Sequence, residues 1–175
     1  MYVGVGSNLG RRADNIRRGL ELLELQGFKI ERRSRIYETK PIGMKTTRNF
    51  LNLVVQAETH LSPAETIAAF GRVERALGRG THRRNRPRTL DLDLLFYGAR
   101  VIHRAGLSVP HPRLHQREFV LAPLNDIAPN LVHPVLHRQV RTLLKSLARN
   151  RGVGGQPRVA QIGFRAKSAA CAAES

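Results

Sequence analysis

Residues 86–95 read Arg86-Pro87-Arg88-Thr89-Leu90-Asp91-Leu92-Asp93-Leu94-Leu95. The alternation of leucine and aspartate has the period of a β-strand, and a strand is expected over Leu90–Tyr97. Asp91 and Asp93 then share one face, roughly 7 Å apart at Cα, while Leu90, Leu92 and Leu94 point into a core. Two carboxylates side by side raise each other's pKa unless a cation sits between them. A pair of hard oxygen ligands suits Mg²⁺, which keeps several waters and completes its shell with substrate phosphates. Aspartate is disfavoured in strands, and the chain carries only 13 acids to place. The same alternation also describes the wet face of an amphipathic strand, so the residues alone leave two readings open.

Upstream, residues 79–88 (RGTHRRNRPR) contain no apolar residue except Pro87. Such a segment cannot contribute to a core and belongs on the surface. It gathers Arg79, Arg83, Arg84, Arg86 and Arg88 beside the carboxylate pair. Across all 175 residues the formal charge is +17, carried by 25 arginines and 5 lysines. Arginine's planar fork binds phosphates at two points, and an excess of this size implies an anionic partner: a nucleic acid or a smaller phosphorylated molecule. An arginine-rich composition with most side chains merely solvated is the competing explanation.

The remaining composition excludes several classes. With 41% hydrophobic and 25% charged residues the chain is an ordinary globular sequence rather than a disordered one. No window approaches the ~18 uninterrupted apolar residues of a membrane span. The basic residues of MYVGVGSNLGRR follow the apolar stretch, the reverse of a secretory signal. The single cysteine, Cys171, excludes an internal disulfide framework and a multi-cysteine zinc site. A cytoplasmic protein is expected.

Working outward, Tyr2–Gly6 reads as a strand, and the Gly4-x-Gly6-Ser7-Asn8 run as turn chemistry letting the backbone pass close to something; it is neither G-x-G-x-x-G nor a Walker sequence. Ile16, Leu20 and Leu23 mark a helix from Arg11 to about Gln26. Phe28–Tyr37 reads as one strand, Thr39–Arg48 as a loop and Phe50–Glu58 as a strand. Ser62-Pro63-Ala64-Glu65 is a capping box opening a helix whose buried face is Ile67, Phe70, Val73 and Leu77. Gly98 begins a turn, from which Arg100–His103 returns as a hairpin partner. Val109–Arg113 is extended, and Phe119–Leu124 and Val140–Leu147 are short helices. From Arg149 a Gly/Pro-rich, then Ala-rich segment reads as a disordered tail. Strands adjacent to one another, without strict βαβ alternation, indicate α+β with a mainly antiparallel sheet.

Two further clusters carry chemistry. Val109-Pro110-His111-Pro112-Arg113-Leu114-His115-Gln116-Arg117 lacks the glutamate of a zinc-binding H-E-x-x-H, and His111, Arg113 and Arg117 look instead like anion contacts. In Phe50-Leu51-Asn52, an aromatic and an amide share a strand face and could stack on and hydrogen-bond a flat heterocycle; a core phenylalanine is the plainer explanation.

In order and spacing, these motifs resemble the 6-hydroxymethyl-7,8-dihydropterin pyrophosphokinases of folate biosynthesis. The resemblance runs from about Tyr2 to Leu147. It rests on Gly6-Ser7-Asn8-Leu9-Gly10, Tyr37-Glu38-Thr39 with Pro41, Phe50-Leu51-Asn52, Glu74 with Gly78-Arg79, the Arg86–Asp93 signature, and Val109-Pro110-His111-Pro112-Arg113 with Arg117 and Phe119. The chain departs from some members at Asn85-Arg86 (Trp-Gly there), Pro112 (Tyr) and Gly71 (Gln).

The resemblance implies a ferredoxin-like, single-domain α+β fold over residues 1–148, followed by a basic, Ala-rich tail over 149–175. It implies pyrophosphate transfer from ATP to the pterin's hydroxymethyl group with release of AMP. Asp91 and Asp93 would hold two Mg²⁺ ions. Arg79, Arg88, His111 and Arg117 would contact ATP phosphates, and Glu74 would lie in the ATP pocket. Phe50 and Phe119 would sandwich the pterin, with Asn52 and the backbone of Thr39, Lys40 and Ile42 reading its edges. The protein would work on small molecules as a monomer, without nucleic acid or membrane. A basic nucleic-acid-binding domain and a paralogue without catalysis are the alternatives.

Overall fold

In the computed structural model, residues 1–41, 48–78, 87–149 and 160–162 are described. The elements are β1 (Tyr2–Ser7), α1 (Arg12–Leu25), β2 (Lys29–Arg33), β3 (Ile36–Thr39), β4 (Phe50–Glu58), α2 (Pro63–Ala76), β5 (Asp91–Phe96), β6 (Ile102–Arg104), β7 (Leu107–Val109), a 3₁₀ turn (Leu114–Gln116), α3 (Glu118–Ile127), α4 (Val140–Arg149) and β8 (Ala160–Ile162). The main sheet runs β5-β1-β4-β3-β8, with β2 also paired to β4. The described pairings are antiparallel. Counting β2 and β3 as one strand, the order of the first four strands is 4-1-3-2, the ferredoxin-like arrangement expected.

Both faces of the sheet are covered, which is why β4 reads FLNLVVQAE rather than alternating cleanly. Val3, Val5, Leu51, Leu53, Leu92 and Leu94 pack with Ile16, Leu20 and Leu23 of α1 and Phe70 and Val73 of α2. Val54, Leu95 and Phe96 pack with Val120, Leu121 and Leu124 of α3 and Val140 and Leu143 of α4. The capping box is formed: the Glu65 N–H donates to Ser62 Oγ (3.3 Å) and the Ser62 N–H to Glu65 Oε2 (2.8 Å).

Several expectations need correction. Phe28–Tyr37 is two strands, not one. A bulge lies between Ile30 and Arg32, and Ser34 interrupts the ladder because its hydroxyl accepts the Val54 N–H at 2.9 Å. On α2, Phe70, Val73 and Leu77 pack on the core as expected, but Ile67 is exposed and Thr66 and Ala69 are buried beside them, so the face is turned toward Thr66. The strand after Gly98 does not pair with β5; β6 pairs with β7 across Ala105-Gly106, where Gly106 takes a φ of +76°. Val109–Arg113 is not continuously extended: the Val109–Pro110 peptide is cis and a turn follows. Gly4 and Gly6 lie within β1 rather than in a turn. Within the supposed tail, Ala160–Ile162 form β8 against Ile36–Glu38; the other residues after Arg149 lie outside the described ones. No helix among the described residues is long and apolar enough to cross a membrane.

Candidate active site

The register of three strands builds the site. Gly6 of β1 stands opposite Asp91 of β5 on one side and Asn52 of β4 on the other. Gly4 stands opposite Asp93. Leu90, Leu92 and Leu94 face the α1/α2 core, so strand alternation turns Asp91 and Asp93 to the opposite face, as their pattern predicted. On that face opens a cavity of about 720 Å³. Its floor is Gly4 and Gly6, and its walls include Thr39, Lys40, Phe50, Asn52, Arg88, Asp91, Asp93, His111, Arg117 and Phe119. A Cβ on Gly6 would lie 3.0 Å from Asn52 Oδ1 and 3.9 Å from Asp91 Cβ. Glycine therefore keeps the floor open between the amide and the carboxylate.

Each carboxylate faces an arginine. Arg88 Nη1 is ion-paired to Asp91 Oδ1, and Arg117 Nη1 lies 3.7 Å from Asp93 Oδ2. Arg88 is placed by a two-way bond with the end of β1: its N–H donates to Asn8 Oδ1 (2.6 Å), and the Asn8 N–H donates to its carbonyl (3.1 Å). Arg117 stands at the N-terminal boundary of α3 with its guanidinium carbon 5.5 Å from the Phe119 ring centre. Burial pulls the Arg117 pKa down against the upward pull of Asp93.

His111 reaches the cavity from the segment after the cis proline, anchored by its N–H to the Leu95 carbonyl (3.1 Å). Burial first, then Arg117 and Arg113, lowers its pKa from 6.5 to about 4, so it is neutral at physiological pH. Its Nδ1 accepts the Arg113 N–H at 3.2 Å. On the opposite wall the buried Asn52 amide donates to Thr39 Oγ1 at 2.8 Å. This bond fixes the amide beside the Phe50 ring.

Glu74, expected in the ATP pocket, does not line this cavity. It is buried, and its Oε1 accepts the Leu92 N–H at 2.8 Å. Leu92 lies between the two aspartates on the edge strand, so Glu74 holds the strand that presents them. Arg79 and Ile42 lie outside the described residues. Sequence reasoning missed the Asp126 anchor: the Tyr37 hydroxyl donates to Asp126 Oδ1 (2.9 Å), and the Arg35 guanidinium donates to the same carboxylate (2.7 Å). It ties β3 to the helix that carries Phe119, and burial followed by Asp126 pushes the Tyr37 pKa up to about 12. Tyr37 and Asp126 are 89 positions apart, so no local pattern could have joined them.

This geometry agrees with what the sequence shares with known proteins. The sequence model of the 7,8-dihydro-6-hydroxymethylpterin-pyrophosphokinase (HPPK) family matches residues 2–129. The chain belongs to this family. The match covers most of one pyrophosphokinase named below and only a part of two longer proteins. The 2-amino-4-hydroxy-6-hydroxymethyldihydropteridine pyrophosphokinase of Aquifex aeolicus (strain VF5) is 39% identical over 141 residues, covering 81% of this chain and 88% of that one. The folic acid synthesis protein fol1 of Pneumocystis carinii is 40% identical over 135 residues, 77% of this chain; the match spans only 18% of that longer protein. Among solved structures, Plasmodium falciparum HPPK-DHPS wild type with SDX-DHP superposes with a TM-score of 0.69 at 17% identity, over 86% of this chain and 45% of that one. At that identity the likeness establishes a shared HPPK fold. The chain is thus an α+β member of a diphosphokinase family.

Proposed function

We propose that the protein transfers pyrophosphate from ATP to the hydroxymethyl group of 6-hydroxymethyl-7,8-dihydropterin and releases AMP, with Mg²⁺ required. The observation that carries this reading is the row Asp91–Gly6–Asn52 across three neighbouring strands. It sets a carboxylate-and-arginine half-site beside an amide-and-aromatic half-site, with a glycine floor between them.

In the first half-site Arg88, Arg117 and Arg113 present donors to phosphate oxygens. His111, its pKa lowered to about 4, adds a hydrogen-bonding ring without adding a repelling charge to that arginine set. In the second, the rings of Phe50 and Phe119 offer faces to a planar pterin, and Asn52 with the Thr39–Lys40 backbone offers donors and acceptors to its edges. The pterin oxygen would bond to the β-phosphorus while the bond from that phosphorus to the α–β bridging oxygen breaks. AMP departs with the bridging oxygen, and the hydroxyl proton passes to water. Such transfer depends on alignment and on neutralising phosphate charge, which the arginine wall and the two-part cavity supply.

The donor set fits magnesium. Asp91 and Asp93 are single carboxylates on a half-exposed wall, and no cluster of three or more metal-ligating side chains occurs among the described residues. That is too few for an all-protein cage and suits an ion that keeps waters and takes its other ligands from phosphates. Bound there, Mg²⁺ would neutralise phosphate charge as a Lewis acid. The test is AMP release from ATP, Mg²⁺ and the hydroxymethyl pterin. The wild-type protein should produce AMP only with all three present, and Asp91→Ala and Asp93→Ala should abolish production while circular dichroism stays unchanged. Full activity in both variants would sink the metal assignment, and no AMP from the wild type would sink the function.

A further inference from the structure

Thr39 and Phe50 are opposite one another at the end of the β3–β4 ladder. The chain between them, residues 40–49, leaves β3 beside one half-site and returns into β4 there. Something must fix where this connection leaves and returns, because both flanking residues line the cavity.

Arg12, in the first turn of α1, does so from outside. Its Nη1 donates to Glu38 Oε1 at 2.7 Å and to the carbonyl of Asn49 at 2.8 Å. Glu38 immediately precedes Thr39, and Asn49 immediately precedes Phe50. One guanidinium thus holds the departing and the returning ends of the connection. Arg12 does not line the cavity. Its own position is fixed, since the turn before α1 is closed by Asn15 Nδ2 donating to the Leu9 carbonyl at 2.8 Å. The arrangement differs from Arg17–Glu21 on the same helix. That pair has the same 2.7 Å separation, but it is more exposed and joins two neighbours on one helix face.

We propose that Arg12, through Glu38 and Asn49, is a positioning residue that sets the spacing of Thr39, Phe50 and Asn52 and so the affinity for the flat heterocyclic substrate. The proposal rests on the reading of that wall as the pterin half-site. An ion pair still a third exposed is screened by solvent and contributes modestly to stability, so the role of Arg12 should appear in substrate affinity rather than in folding. Arg12 touches neither substrate and is not a catalytic residue.

The experiment compares wild type, Arg12→Ala, Arg12→Lys, Glu38→Gln and Arg17→Ala. Titrations with 6-hydroxymethyl-7,8-dihydropterin and, separately, with a non-hydrolysable ATP analogue are followed by steady-state kinetics and thermal melts. Losing two charge-assisted hydrogen bonds at once should weaken pterin binding by about tenfold or more in Arg12→Ala. The pterin KM should rise by the same factor, with kcat at saturating pterin and affinity for the analogue nearly unchanged. Arg12→Lys, which can keep one of the two contacts, should recover part of the loss. Glu38→Gln should be intermediate, and Arg17→Ala should match wild type. Pterin affinity unchanged in Arg12→Ala overturns the proposal. So does a parallel loss of both ligands, or an equal loss in Arg17→Ala. If Arg12→Ala does not fold, the isosteric Glu38→Gln decides by the same criteria. Wild type that binds the analogue but no pterin would instead overturn the assignment of the half-site itself.

Discussion

Gly4 and Gly6 form the floor of one cavity from one strand, and replacing each by alanine should separate folding from binding. Neither takes a left-handed φ, so alanine is compatible with the backbone at both. At Gly4 the new Cβ would meet Leu95 and Asp93 atoms at 3.5–3.7 Å, ordinary contact. At Gly6 it would lie 3.0 Å from Asn52 Oδ1, and the amide must retreat by a few tenths of an ångström. The retreat strains the buried 2.8 Å bond from Asn52 to Thr39, worth about 1 kcal/mol. Removing glycine from a strand returns about 0.5–1 kcal/mol of backbone entropy. The two effects nearly cancel, so Gly6→Ala should shift the melting midpoint by no more than a few degrees. Binding has no such compensation: the methyl group narrows the floor and displaces an edge-reading amide. A loss of roughly 1.5–3 kcal/mol, about ten- to a hundredfold in pterin Kd, is expected. Fluorescence titration of both variants with the pterin provides the measurement. Gly4→Ala should bind nearly as wild type does. Equal losses in the two variants, or wild-type affinity in Gly6→Ala, would refute the argument from the Gly6–Asn52 approach.

The other predictions concern stability. His111 is held near pKa 4 in the fold against 6.5 free, so the unfolded chain binds its proton first as pH falls. The stability from keeping it neutral is complete above pH 6.5 and is lost between 6.5 and 4. Because the ring is partly solvated, about 1–2 kcal/mol is expected after discounting for screening; denaturant midpoints of the substrate-free protein should show a shallower pH dependence in His111→Asn. Ser62→Ala removes one arm of the capping box and should cost about 1 kcal/mol, read as a lower melting midpoint with AMP release unchanged. Gly19→Ala would place a Cβ 2.6 Å from Leu90 Cδ2, a fully buried side chain. Overpacking of about 1–3 kcal/mol should outweigh the ~1 kcal/mol gain in helix propensity, and a variant more stable than wild type in chemical denaturation would show that α1 and Leu90 can separate freely.

The elements legible in the sequence were those whose signal is local. The Leu/Asp alternation defined β5 and its two faces, the apolar run from Phe50 defined β4, and Ser62-Pro63-Ala64-Glu65 opened α2. Where a tertiary contact competes, local reading failed. Ser34 breaks a strand because its hydroxyl takes a ladder bond from Val54, which propensity cannot foresee. Ile67 and Thr66 exchanged places because helical period alone leaves the rotation of the apolar face uncertain by a residue. The same division holds in the site. Motif spacing assembled Phe50, Asn52, Arg88, Asp91, Asp93, His111, Arg117 and Phe119 on one cavity. The supports were invisible, because Arg12–Glu38, Tyr37–Asp126 and Asn8–Arg88 join residues 26, 89 and 80 positions apart. Glu74 was visible as a motif residue, but its bond to the Leu92 N–H was not, since a buried carboxylate on a strand-edge N–H looks in sequence like any glutamate near an arginine loop.

The charge that dominates the composition takes a different meaning once paired. Arg12, Arg17, Arg33 and Arg35 each face a carboxylate on the scaffold, and Arg88 and Arg117 face Asp91 and Asp93 in the cavity. A surface evolved to track a nucleic-acid backbone gains from cations and is weakened by acids set among them. The cavity alternates the two signs at its wall. A bare triphosphate entering it would meet arginines but also two repelling carboxylates. A triphosphate carrying a divalent cation would offer a partner to both signs: phosphate oxygens to Arg88 and Arg117, and the cation to Asp91 and Asp93. The ion pairs within the protein compensate the charges of those four groups, so binding would exchange one set of pairs for another instead of burying charges unpaired, the costlier course. The proposed metal-dependent transfer is consistent with this mixture of signs, which a count of arginines alone could not reveal.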